Sequence, residues 1–256
     1  MHDMFLLEGK VAVIIGGGGV LAGEMAHGLA DSGASILVVD ININNAEARA
    51  QAIRETGGKS VAVEADASRR EDLQRALQTT VDSFGRVDIL INAAGINSGT
   101  SFFDITDEEW HRILDVDLKS IFLACQIFGK KMVEAQQGGS IINISSIASD
   151  PPLSKVFTYS VAKGGINQLT RFLAREWAPH RVRVNAILPG FVPAEQNRKL
   201  LTPERTAQAL GHTPMGRFGE PHELVGAAIF LAAERASSYV TGALLRVDGG
   251  FGAMSI

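Results

Sequence analysis

A single cysteine, Cys125, is all that this 256-residue chain carries, which excludes an intrachain disulfide framework and a cysteine-rich metal site. Its setting, Ile121-Phe122-Leu123-Ala124-Cys125, is apolar, and the reading there is a buried structural thiol. Any basic run or stripe is missing too. Lys and Arg total 24 against 28 Asp and Glu, a formal net charge of −4. Gripping nucleic acid through its phosphates needs the opposite balance, so nucleic acid is not an expected partner. No stretch comes near the roughly 18 apolar residues of a membrane-spanning helix. The start, Met1-His2-Asp3-Met4-Phe5, lacks the basic-then-apolar order of a secretory leader. The expectation is a globular, cytoplasmic protein with no membrane partner. Repeats and linker-like stretches are absent as well, which makes one domain over 1–256 the economical reading. Hydrophobic residues, at 46%, are enough for a large core, and charged residues, at 20%, are too few for disorder.

What is present is alternation. Val11–Ile15 reads as a strand buried on both faces, followed by a helix over 20–30 and a strand over 35–39. A helix over about 46–56, a strand over 60–63, a helix over about 71–84 and a strand over 87–91 are expected next. One long helix over 107–135 precedes a strand at 140–144. A helix over about 158–177, a strand over 182–187, a helix near 221–232 and a strand over 244–247 complete the pattern. Seven near-continuous apolar strands separated by helices imply a doubly wound parallel sheet with helices on both faces, a Rossmann-like α/β fold. The irregular part, from Pro189 to about Pro214 with one short helix, lies beyond a strand's C-terminal end. A substrate lid over about 190–220 is expected there.

Gly16-Gly17-Gly18-Gly19 sits between the first strand and the first helix. Free N–H groups at a helix start favour an anion, and glycine lets the backbone turn tightly and approach a pyrophosphate. Gly17 to Ala22 satisfies the G-x-G-x-x-G/A pattern, which an all-glycine turn matches cheaply. Asp40, ending the second strand just over 20 residues on, adds weight. A carboxylate there accepts from both ribose hydroxyls and repels a 2′-phosphate, so NAD is expected over NADP. A tight turn without nucleotide is the plainer alternative.

Tyr159 and Lys163 stand four apart in a helical stretch, on one face and about one turn apart. An ammonium beside a phenol favours the phenolate, which suits proton transfer at physiological pH. Ser146, at the C-terminal end of the fifth strand, has a hydroxyl that can hydrogen-bond a substrate carbonyl. Alone, a Tyr-x-x-x-Lys pair is most often an ordinary helix surface.

Together these marks resemble the short-chain dehydrogenase/reductase family over essentially the whole chain. The matching residues are the glycine turn at 16–22, Asp66, Asn92-Ala93-Ala94-Gly95, Ser146, Tyr159, Lys163, Pro189-Gly190 and Val247-Asp248-Gly249-Gly250. The resemblance implies a Rossmann-like fold, a homotetramer, and hydride transfer between NAD(P) and an alcohol or ketone. It implies Tyr159 as general acid/base, Lys163 as its partner and a ligand of the nicotinamide ribose, and Ser146 as the group orienting the carbonyl. Cofactor contacts are implied at Gly16, Gly18, Gly19, Val20, Leu21, Asp40, Asp66, Ala67, Asn92, Ala93, Ala94, Pro189, Gly190 and Val192. No metal is implied.

The chain departs from the family pattern in places. Laid on T-G-x-x-x-G-x-G, it has Ile15 for the threonine and Val20 and Ala22 for the later glycines, so Gly19 is expected to supply the missing flexibility. Asp117 stands where the family has an asparagine that holds a water leading to the lysine. It keeps an acceptor for a proton relay, placing it in the catalytic set, and adds a charge near Lys163. Ala194 replaces a threonine that often contacts the nicotinamide. The turn and the segments 191–201 and 212–224 resemble a sugar-acid branch, the D-mannonate oxidoreductases or fructuronate reductases. Lys155, Glu195, Gln196, Asn197, Arg198, His212 and Arg217 are the candidate substrate contacts, arginine being able to clamp a carboxylate in two-pronged fashion. Each is equally readable as a solvated lid residue, Arg217 as a pin for the lid. The expected substrate is a sugar acid or polyol. A 3-oxoacyl thioester, a cyclic ketone, or a non-catalytic NAD-binding sensor or scaffold are the alternatives.

Overall fold

The apolar runs pair into one sheet because strands this hydrophobic need cover on both faces. The computed structural model describes residues 2–151, 153–193 and 202–254. Its strands are β1 (Val11–Ile15), β2 (Ser35–Asp40), β3 (Ser60–Glu64), β4 (Ile89–Asn92), β5 (Gly139–Ile144), β6 (Val182–Pro189) and β7 (Leu244–Val247). They lie in the order β3-β2-β1-β4-β5-β6-β7, and every neighbouring pair is parallel. The order reverses between β1 and β4, which opens a crevice at their C-terminal ends.

Alternation along each strand splits the core into two layers. Ala12 and Ile14 of β1, with Ile36 and Val38 of β2, pack under α1 (Val20–Asp31), α2 (Ile43–Glu55) and α9 (Val225–Ala232). Val13 and Ile15, with Leu37 and Val39, face α3 (Arg70–Phe84), α5 (Ser120–Ala124), α6 (Lys130–Ala135) and α7 (Phe157–Trp177). The remaining helices are α4 (Asp107–Leu114), α8 (Pro203–Gly211) and the short α10 (Glu234–Ser237). Cys125 is 1% exposed, and burial pushes its thiol up to about 12. No helix among the described residues is long and apolar enough to cross a membrane.

Two elements differ from expectation. α2 begins at Ile43, because the Asn42 side chain accepts from the N–H groups of Asn44 and Asn45 and starts the helix early. The stretch 107–135 is not one regular helix. Wide turns closed by i→i+5 bonds occupy Asp115–Lys119 and Cys125–Gly129 and separate α4, α5 and α6. The first of these turns carries Asp117.

Candidate active site

The glycine turn bends at one residue. Gly16 has φ +75°, and a Cβ there would stand 2.7 Å from the Ala94 backbone nitrogen. Gly19, at φ −67°, is in an ordinary extended conformation as the cap of α1, so the extra freedom expected of it is not used. Gly18 is needed for closeness: a Cβ would meet Asp40 Oδ2 at 2.8 Å. The Gly18 N–H donates to that same oxygen at 3.0 Å, and Asn42 N–H donates to Oδ1 at 3.0 Å. The turn thus fixes the Asp40 carboxylate while each oxygen keeps a lone pair free. No side chain caps α1, so its first-turn N–H groups lack intrahelical partners.

Beyond the turn a cavity of about 440 Å³ runs along the C-terminal ends of the strands. Gly16, Gly18, Gly19, Val20 and Leu21 line it from the β1 side, Asp40 from β2, and Asp66 and Ala67 from β3. Asp66 Oδ1 accepts from the N–H and hydroxyl of Ser68. Ala93 and Ala94 form the wall after β4, and Pro189, Gly190 and Val192 the wall after β6. Ser146, Tyr159 and Lys163 line the same cavity. The glycine-lined approach to uncapped N–H groups, with a carboxylate over 20 residues on, fits a dinucleotide. Gly16, Gly18 and Gly19 would cradle its pyrophosphate, and Asp40 its adenosine ribose.

Tyr159 projects from the first turn of α7 and Lys163 from the second, and Lys163 Nζ lies 5.2 Å from the Tyr159 ring centroid. The lysine is 3% exposed. Its Nζ donates to the Ile144 carbonyl at 3.1 Å and stands 3.2 Å from Asp117 Oδ2. That second contact is an ion pair between two buried side chains. Asp117 is fully buried, and its Oδ1 accepts from Ile96 N–H at 2.8 Å, tying the loop after β4 to the lysine. Burial pushes the Asp117 carboxyl above its ordinary range, although the Lys163 ammonium pulls it down. Burial alone would depress Lys163; Asp117 and Tyr159 outweigh it and hold the ammonium above its usual value. Ser146 Oγ accepts from Ala148 N–H at 3.1 Å. Ser145 is instead tied into the core, its hydroxyl donating to the Lys163 carbonyl.

Other expected contacts are not brought together. Asn92 is 1% exposed and does not line the cavity. Its Nδ2 donates to Asn143 Oδ1 at 2.9 Å, because strand alternation turns the side chain into the core, so the expectation of a cofactor contact there is corrected. Lys155, at φ +63°, lines a separate depression with Phe102 and Phe157. Arg217 is exposed and held by a two-pronged bond to Glu223, which leaves it a pin for the lid. The His212 ring stacks edgewise on Phe251. Ala194, Glu195, Gln196, Asn197 and Arg198 lie outside the described residues. Arg205 of α8, which the sequence did not single out, lines the cavity. Its only local signal is its place in the first turn of a helix capped by Thr202.

The chain belongs to the short-chain dehydrogenase/reductase family. The family described as Enoyl-(Acyl carrier protein) reductase matches residues 19–252. The chain is 38% identical to the uncharacterized oxidoreductase UxuB of Bacillus subtilis, over 97% of each chain. It is 36% identical to a 2-dehydro-3-deoxy-D-gluconate 5-dehydrogenase of Escherichia coli, over 96% of this chain and 97% of that one. A gluconate 5-dehydrogenase of Burkholderia cenocepacia, solved in complex with NADP and tartrate, is similar with a TM-score of 0.94 and 32% identity over 99% of each chain. The protein is an NAD(P)-dependent oxidoreductase acting on CH–OH donors.

Proposed function

We propose that the protein interconverts a secondary alcohol and a ketone on a sugar acid, of the mannonate/fructuronate or gluconate kind, with NAD in preference to NADP. The observation that carries this reading is one continuous cavity joining Asp40 at one end to Ser146, Tyr159 and Lys163 at the other. Asp40 and Asp66 are the charged side chains at the ribose end of that cavity among the described residues, a poor setting for a 2′-phosphate. The sugar-acid names of the relatives support the substrate class.

When bound, the dinucleotide supplies the group that accepts or gives hydride. In oxidation, Tyr159 takes the proton from the substrate hydroxyl through its phenolic oxygen; in reduction it returns that proton to the developing alkoxide. Ser146 donates a hydrogen bond to the same oxygen and fixes its position. Lys163 holds its ammonium beside the Tyr159 ring, and Asp117 keeps Lys163 charged and in place. Replacing Tyr159 by Phe tests the assignment. Turnover is expected to fall by at least about 10²–10⁴-fold, the usual worth of a general acid/base, while dinucleotide binding measured by titration persists. Turnover at the wild-type rate would remove Tyr159 from this role.

We further propose self-association as a homotetramer. Phe122 of α5 and Phe172 of α7 are 42% and 58% exposed and border one open apolar depression with Leu118 and Leu169. Such a face gains from burial against another copy.

A further inference from the structure

One cation at the substrate end of the cavity has no task in the reaction described above. Arg205 sits in the first turn of α8, where Pro203 opens the helix and Thr202 Oγ1 accepts from the Arg205 N–H at 3.3 Å. The guanidinium reaches across to the loop before α7, its Nη2 donating to the Ser154 carbonyl at 3.0 Å. Ser154 lies between Leu153 and Val156, both of which line the cavity, and five residues before Tyr159. Arg205 is therefore held on the side of the cavity where Tyr159 enters, away from the β2 and β3 ends that carry Asp40 and Asp66.

Charge sharpens the contrast. Among the described residues lining the cavity, the basic side chains are Lys163 and Arg205. Lys163 is committed to Asp117. Arg205 has five N–H donors, and its one recorded hydrogen bond to a described residue uses a single Nη2 donor. That bond fixes the plane of the guanidinium rather than neutralising its charge. The cavity is thus acidic under its ribose half and cationic at its reacting half, and the cation is a planar fork that matches a carboxylate with two parallel hydrogen bonds.

We propose that Arg205 recognises the carboxylate of the substrate and so selects polyhydroxylated acids over uncharged polyols of the same chain length. This rests on the sugar-acid reading above and names the residue that enforces it. The rival role is purely mechanical, a latch between α8 and the 153–156 loop. A latch serves every substrate alike; a carboxylate clamp serves acids only.

The test is steady-state kinetics of the wild type, Arg205→Gln and Arg205→Lys with D-gluconate and D-mannonate, and with the matching hexitols. A charge-assisted hydrogen-bonded contact of this kind corresponds to about 10–100-fold in affinity. The expected result in Arg205→Gln is a 10–100-fold fall in the ratio of kcat/KM for acid to kcat/KM for hexitol, carried by KM for the acid. Arg205→Lys, which keeps the charge and loses the fork, is expected to fall between. An equal loss on acids and hexitols would overturn the clamp and leave the latch. Wild-type turnover of hexitols with none of the acids overturns the sugar-acid reading itself, an outcome separate from any behaviour of the variants.

Discussion

Asp117 and Lys163 form a buried pair that is costly to break from either side, because whichever charge remains is left buried and unpaired. Asp117→Ala strands the Lys163 ammonium, and the expected loss is about 3–5 kcal/mol, read as a lower urea midpoint. Asp117→Asn keeps an acceptor for the Ile96 N–H and costs less. Lys163 stands above its ordinary value in the folded chain, so its stabilising contribution is full below the unfolded lysine range and is lost as pH rises through the raised value. Asp117 is also raised; its own contribution is greatest in acid and fades as pH rises through its folded value, where Lys163 holds the carboxylate. In Asp117→Asn the upward pull on Lys163 is gone and burial favours the neutral amine. The alkaline limb of the pH dependence of kcat/KM is expected to move to lower pH. A limb that stays in place would show that Asp117 does not hold the lysine's charge. The sequence placed Asp117 near Lys163 only through the family resemblance, since the contact spans two helices and no local spacing encodes it.

Among the elements, the turn from β1 to α1 is the one on which dinucleotide binding depends. Gly16 alone uses positive φ there, with Ala94 pressed against it. Gly16→Ala adds the left-handed penalty of about 1–2 kcal/mol to a clash with backbone that cannot swing away. A lower melting temperature and weaker NAD binding are expected together, followed by thermal denaturation and fluorescence titration. Unchanged binding would mean that the turn does not shape the phosphate site. Strands and most helices were legible because an apolar run or a 3.6-residue stripe is a local property of the sequence. The wide turns at Asp115–Lys119 and Cys125–Gly129 were not, since the same residues make an unbroken helical pattern. Asn92 was misjudged for a related reason: the face a strand residue takes depends on register, and its register turns it toward Asn143. Arg217 found Glu223 across a turn whose shape the sequence did not reveal.

For the whole molecule, the sheet order brings four separate stretches to one crevice: the turn after β1, Asp40 at the end of β2, Ser146 after β5, and α7 with Tyr159 and Lys163. Each was readable by itself, and the topology makes them one site. The face formed by α5 and α7 is left open by the same topology. Phe172→Glu is expected to shift the sedimentation coefficient toward a smaller species, whereas the wild type is expected to sediment as the proposed tetramer. A wild-type monomer would contradict the proposed assembly. In the proposed function one cavity joins an NAD-selecting carboxylate to a Tyr–Lys site for sugar acids. Its most direct test is the initial rate of dinucleotide reduction at 340 nm, measured across sugar acids and uncharged alcohols with NAD and NADP in parallel. The highest kcat/KM is expected for a sugar acid with NAD; preference for NADP, or for an uncharged alcohol over every sugar acid, would contradict the proposed function.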